Sequence, residues 1–370
     1  MNTLSTEERA ALRDAVQRLL RDASDEHAVR DTMETSSGFD RTLWQQLAAM
    51  GLTGLIIDEA YGGSGAGPME LEAVMEEAGA ALLCAPLLGS SVLSAALLQA
   101  AGDADACARW LPAMAAGECI AASVLTDTGG TWQAEGVAVN ASETATGWLL
   151  SGYGSYVLHG QNADVLLVLA RVGADLQLFE VPADAQGVAC APLPTFDHTL
   201  RLARIDFAAT PARRLEVGVP VWQAVQSALD LTLVALAGEQ AGGAQRCLDF
   251  TVDYAKTRIQ FGRAIGSFQA IKHMAADLLL ETESAISAAR SAAAKLAAQA
   301  DDVQAAISLA AFACADAFVT TTATSIQMHG GIAFTWAHPA HLYLRRARSG
   351  AQLFGNSNQH RERYLRALEG

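Results

Sequence analysis

Residues 258–278 read RIQFGRAIGSFQAIKHMAADL. Arg258, Gln260, Phe261 and Gly262 arrive within five residues, Phe268 and Gln269 follow, and a helical pattern resumes with His273. A turn of this composition displays a guanidinium, two amides and two rings together. A guanidinium forks onto phosphate oxygens and rings stack on rings. The stretch therefore suits a large ligand with phosphate and aromatic parts. The plainer alternative is a corner between two helices carrying ordinary polar groups.

On either side of this stretch the pattern divides the chain into three segments. Residues 1–117 read as helices, with Leu43, Leu47 and Met50, then Leu71, Val74 and Ala78, at helical spacing. Gly62, Gly63, Gly65 and Gly67 interrupt them. Their irregular spacing, with no βαβ alternation around it, predicts a connecting loop and not a dinucleotide fingerprint. Residues 118–213 change to short apolar runs separated by glycine turns, the signature of a meander or small barrel. Residues 214–370 return to long alanine-rich helices, expected over Val221–Arg258, Asp277–Ala300 and Val303–Gln327. Helices, then strands, then helices indicate an α+β chain.

The chain has 370 residues and half are hydrophobic, enough for a substantial core. A net charge of -15 argues against nucleic acid as a partner. Arg345, Arg346 and Arg348 read as a local basic cluster that could meet an anionic ligand in spite of the overall sign. The six cysteines show no CxxC spacing, so neither a metal site nor a disulfide framework is expected. The apolar run Ala305–Thr320 is interrupted by Asp316 and reads as a bundle helix, not a membrane span. The N-terminus lacks the pattern of a signal peptide. The expectation is a protein of the cytoplasm of a bacterium-like cell, bound to no membrane.

The stretch from Arg258 resembles the pattern of the acyl-CoA dehydrogenase family, and the likeness runs nearly end to end. Leu43–Ser90 is similar to the family's N-terminal helices and their loop, and QMHGGIAFTWAHPAHLYLRRA (Gln327–Ala347) to its second flavin-contacting segment. The resemblance implies an N-terminal helical domain (1–117), a central β-domain (118–213) and a C-terminal four-helix bundle (214–370). It implies FAD as cofactor and α,β-desaturation of an acyl-CoA thioester. There a carboxylate removes the α-proton while the β-hydrogen leaves as hydride to the flavin.

Carried over residue by residue, the resemblance puts Arg258 at the FAD pyrophosphate with Gln260 and Phe261 beside it. Phe268 and Gln269 continue toward the adenine, and Gln327, Gly330 and Gly331 form the segment where backbone nears the diphosphate. Ser357 and Gln359 stand where the family has a Thr and a Gln touching the cofactor. In the β-domain the pattern is worn. Leu125-Thr126-Asp127-Thr128-Gly129-Gly130 replaces Thr-Glu-Pro-x-x-Gly-Ser-Asp, and Tyr156-Val157-Leu158 replaces Trp-Ile-Thr. Thr126 and Tyr156 are the contacts left. The family's cofactor groups come from two subunits, so a homo- or hetero-tetramer with another dehydrogenase-like chain is implied, with an electron-transfer flavoprotein as electron acceptor.

The family's usual base, a Glu in a C-terminal loop, falls on Gly355 within LFGNSNQHRERY. Some members carry the base on the first long bundle helix, where this chain offers Glu239 between Ala237-Gly238 and Ala241-Gly242-Gly243. Such apolar company would raise its pKa toward that of a useful base. The alternative is a carboxylate on a solvated helix stripe or at an intersubunit contact. Those members place their Glu near Thr232, about 10 Å away along the helix. A bulky ring-bearing or steroid side-chain acyl group is the expected substrate. The competing readings are a non-catalytic structural subunit of a heteromer and a flavin-dependent acyl-CoA oxidase.

Overall fold

The computed structural model describes residues 4–145 and 147–369. Six helices open the chain: α1 (Thr6–Ala23), α2 (Glu26–Glu34), α3 (Arg41–Ala49), α4 (Pro68–Ala80), α5 (Ala95–Ala101) and α6 (Ala104–Ala115). Ser5, Asp25, Asp40 and Asp103 start four of them by accepting a hydrogen bond from a first-turn backbone N–H. Pro68 begins α4, where its missing N–H costs nothing. The glycines before α4 form the expected loop. A π-helical turn, Leu87–Ser94, leads into α5.

Seven strands follow: β1 (Ala121–Val124), β2 (Asn140–Thr144), β3 (Gly147–Leu158), β4 (Val165–Val172), β5 (Asp175–Pro182), β6 (Val188–Pro192) and β7 (Leu202–Arg214). Pairing runs β4–β2–β3–β7–β5 and returns to β4, so the sheet closes, with β1 beside β4 and β6 beside β7. Leu150, Leu166, Val168, Phe179 and Ile205 belong to the apolar cluster of this domain.

The C-terminal helices are α7 (Val221–Thr257), α8 (Gln269–Ala297), α9 (Val303–His329), α10 (Ala340–Gly350) and α11 (Ser357–Glu369). α8 begins eight residues before the expected Asp277. The chain reverses within a two-residue hairpin, β8 (Ile259–Gln260) and β9 (Arg263–Ala264), so no longer loop is needed. Two helical segments, Val221–Thr257 and Val303–Phe334, are long and apolar enough to cross a membrane, and their most apolar stretches are mostly buried in this fold.

α4 and α7 pack very closely. A Cβ on Gly242 would lie 1.8 Å from the Glu76 carbonyl oxygen, and one on Gly79 would lie 1.8 Å from that of Glu239. The small residues around Glu239 therefore admit a neighbouring helix backbone. This approach carries the acidic face of α4 inward. Glu76 pairs with Arg13 and Arg290, and Glu70 with Arg9. Glu72 is 3% exposed, and its Oε1 has no hydrogen-bond partner among the described residues. Burial first, then the neighbouring Glu76, push its pKa up.

Gly242→Ala is expected to cost about 2 kcal/mol or more by overpacking, read as a fall of at least about 2.5 °C in melting temperature. A raised folded-state pKa means that the contribution of Glu72 is complete below the ordinary carboxyl range. It is lost as pH rises through the higher folded value. Glu72→Gln should therefore gain on the parent protein in melting temperature between pH 5 and pH 8.5. A difference that stays constant across that range would refute the assignment.

Candidate functional site

The loop between α10 and α11 forms the inner part of the site. Phe354 and Gly355 take φ of +60° and +118°. A Cβ on Gly355 would sit 3.1 Å from His360 Nε2. Burial, then Arg363, push the His360 pKa down to about 4, so the imidazole is neutral at physiological pH. Trp132, from the barrel, meets the Phe354 ring edge-on at 4.8 Å. Beside Gly355 opens a cleft of about 420 Å³, lined by Trp132, Trp222, Leu229 and Leu233, with Arg363 and Arg366 from α11. Asp230 on α7 accepts from both Gln304 and Arg363, which holds α11 against the cleft.

Of the expected inner contacts Gln359 lines this cleft, Ser357 stands two residues before Gln359, and Thr126 and Tyr156 bond to the loop that carries Trp132. Ser357 opens α11 and donates to Asp316 Oδ1 at 2.7 Å. Gln359 turns back, its Oε1 accepting from Asn356 N at 2.8 Å. Thr126 is buried and donates to the Thr131 carbonyl at 2.7 Å, within the loop that carries Trp132. Tyr156, at φ +55°, donates to the Thr128 carbonyl at 3.0 Å. Both hydroxyl hydrogens are thus committed within the protein. The Tyr156 ring and the oxygen lone pairs remain available.

The remaining contacts lie at the far end of the bundle. Tyr254 stacks on His329 at 4.4 Å, which brings the end of α7 to the end of α9. Arg258 follows Tyr254 by one turn and has no ion-pair partner among the described residues; Gly330 follows His329. Phe261 is 91% exposed at φ +52° and meets Phe268 edge-on, while Arg263 lies over the Phe268 ring at 4.1 Å. Gln260, Gln269 and Gln327 are exposed nearby, and Gln269 Nε2 lies 2.9 Å from His273 Nε2. Gly330 and Gly331 have nothing within 4 Å of where a Cβ would stand. Bare backbone, an unpaired guanidinium and exposed rings fit a ligand with phosphates and an aromatic base. Asp316 and His329 are thirteen residues apart on α9, so the two halves of the site are about 20 Å apart along that helix.

Glu239 belongs to neither half. It is buried, and its Oε1 accepts from Arg346 Nη1 at 2.8 Å. Arg346 Nε donates to Asp197 Oδ2 at 3.0 Å, and Nη2 donates to the carbonyls of Thr199 (2.9 Å) and Leu83 (3.2 Å). The expected apolar company of Glu239 is thus a guanidinium. The expected basic cluster also fails: Arg346 faces inward, while Arg345 packs its guanidinium over Phe196 and Trp336. Sequence reading missed the inward role of Arg346, and it missed Trp132 and His360. The first was detectable, since Tyr343, Arg346, Ala347 and Gly350 fall at helical spacing on one face of α10.

Residues 6–118 match the family model for the acyl-CoA dehydrogenase N-terminal domain, and residues 222–369 that for its C-terminal domain. The chain is 36% identical to acyl-CoA dehydrogenase IpdE2 of Mycobacterium tuberculosis, over 98% of this chain and 96% of that one. It is 34% identical to acyl-CoA dehydrogenase FadE34 of the same organism, over 96% of this chain and 47% of that one. Among solved structures, a variant of the Tcur3481-Tcur3483 steroid ACAD superimposes with a TM-score of 0.89 at 28% identity, covering 98% of each chain. The ChsE4-ChsE5 complex from Mycobacterium tuberculosis does so with a TM-score of 0.89 at 27% identity, covering 100% of this chain and 99% of that one. With both family models matched and the helix–barrel–helix order in place, the chain belongs to the acyl-CoA dehydrogenase family, FAD-dependent oxidoreductases that dehydrogenate acyl-CoA thioesters.

Proposed function

We propose that this chain is one of two different chains of a heteromeric acyl-CoA dehydrogenase that desaturates a bulky, ring-bearing CoA thioester, and that the base comes from the other chain. The observation that carries this reading is the engagement of Glu239 with Arg346 at 2.8 Å, together with a glycine at position 355. A buried carboxylate that balances a buried guanidinium cannot leave it without a cost of about 3–5 kcal/mol. Glu239 is then a structural anion and not the α-proton base. The steroid ACAD variant and the two-chain ChsE4-ChsE5 complex support a steroid-type substrate and a heteromer.

In this reading the cleft beside Gly355 admits the thioester between Trp132, Trp222 and Leu233, and Arg366 faces the polar end of the ligand. Thr126, Tyr156, Ser357 and Gln359 hold one end of FAD. Arg258, Gln260, Phe261, Phe268, Gln269, Gln327, Gly330 and Gly331 present the surface for the far end of a cofactor seated in the neighbouring chain. FAD supplies the hydride acceptor, and an electron-transfer flavoprotein reoxidises it. The chain's own work is to bind, orient and exclude water.

Purified alone, the chain is expected to carry less than one flavin per subunit in its visible spectrum, and to fill only with its dehydrogenase-like partner. Full loading alone would refute the shared site. In the assembled complex Glu239→Gln should leave flavin bleaching by substrate within about threefold of the parent rate. A loss near the 10²–10⁴-fold typical of a missing general base, with flavin content intact, would make Glu239 the base. Gly355→Glu should not create a base, because φ +118° strains a side chain and His360 occupies its path. A turnover gain in the chain alone would overturn that expectation.

A further inference from the structure

A second cavity, of about 390 Å³, lies between α1, α2, the end of α4, α7 and α10, and shares no lining residue with the cleft beside Gly355. Leu20, Val29, Leu82, Phe250, Leu342 and Tyr343 give it an apolar floor. Tyr343 is buried, and its hydroxyl donates to the Ala80 carbonyl at 2.6 Å, so it asks nothing of a ligand. The charges at the rim are mostly spent. Arg21 pairs with Asp22, Glu26 pairs with Arg30, and Asp25 caps α2. Arg246 lines the same cavity from α7, where its guanidinium hydrogen-bonds the Tyr343 hydroxyl, and it has no carboxylate partner among the described residues. Glu77 stands on the same rim and disfavours a second negative charge on any occupant.

From this apolar floor and the one rim guanidinium that meets no carboxylate we infer that the cavity binds a monocarboxylate with an apolar body, its carboxylate on the remaining donors of Arg246. The volume lies within the range of small-molecule sites. A guanidinium takes a carboxylate on two parallel N–H donors. A phosphate ester, with its second charge, would meet Glu77. Hydrolysis of an acyl-CoA thioester releases a ligand of this class, the acyl group as its free acid with CoA as the thiol. The cavity would thus sense free acid independently of the cleft, and the inference does not depend on which chain holds the base.

Decanoate is the probe, with decanamide as the uncharged control, titrated calorimetrically into the flavin-loaded protein in its native assembly. Saturable decanoate binding is expected, at least tenfold weaker in Arg246→Gln, with decanamide changed less than twofold by that substitution. Ala81→Leu, which fills the cavity, should abolish binding of both. Arg246 is exposed, so its replacement decides the question even if Ala81→Leu proves unstable. Absence of saturable binding, indifference to Arg246→Gln, or displacement of decanoate by saturating acyl-CoA would overturn the proposal. The last result would place the probe in the cleft.

Discussion

Arg346 is 5% exposed, and its guanidinium gives hydrogen bonds to three parts of the chain: Glu239 on α7, Asp197 and Thr199 in the loop before β7, and the Leu83 carbonyl after α4. A buried guanidinium is tolerable only when its donors are satisfied and its charge is met. The bonds therefore constrain one another. If the N-terminal helices, the barrel loop or α7 moved away, an unpaired charge would be left inside the protein. The helical domains and the barrel are held in one relative placement by that condition, and the loop carrying Gly355 begins one turn after Arg346.

The same constraint explains why the glycines of α7 are not a ligand niche. Small residues on a helix permit either a bulky ligand or another backbone, and local sequence does not distinguish these. Here α4 occupies the space, with Gly79 over Glu239 and Gly242 over Glu76. The close approach buries four glutamates of α4. Arginines from α1 and α8 satisfy Glu70 and Glu76, while Glu72 lies beyond good ion-pair geometry at 4.0 Å from Arg13.

The candidate site is divided by distance. Groups near Gly355 and groups near Gly330 are about 20 Å apart along α9, and the outer group lies open on the surface, with Phe261 at 91% exposure. Exposed rings gathered on one surface mark a contact region. In the proposed reading a long cofactor, seated at the inner group of one chain and reaching the outer group of another, would make use of both.

Much was legible in the sequence. Hydrophobic period and glycine breaks gave the order of helices, barrel and helices, because backbone geometry and side-chain alternation act over a few residues. The motif around Arg258 and the glycine at position 355 pointed to the cofactor and to the missing loop carboxylate, since both are statements about residue identity. Only the tertiary structure decided what Glu239 faces, that Arg346 turns inward, and that Trp132 meets Phe354. Glu239 and Arg346 are 107 residues apart in the chain, and Asp197 and Arg346 are 149 apart. The environment of a charge is set by whatever packs around it, and no local pattern encodes neighbours at such separations.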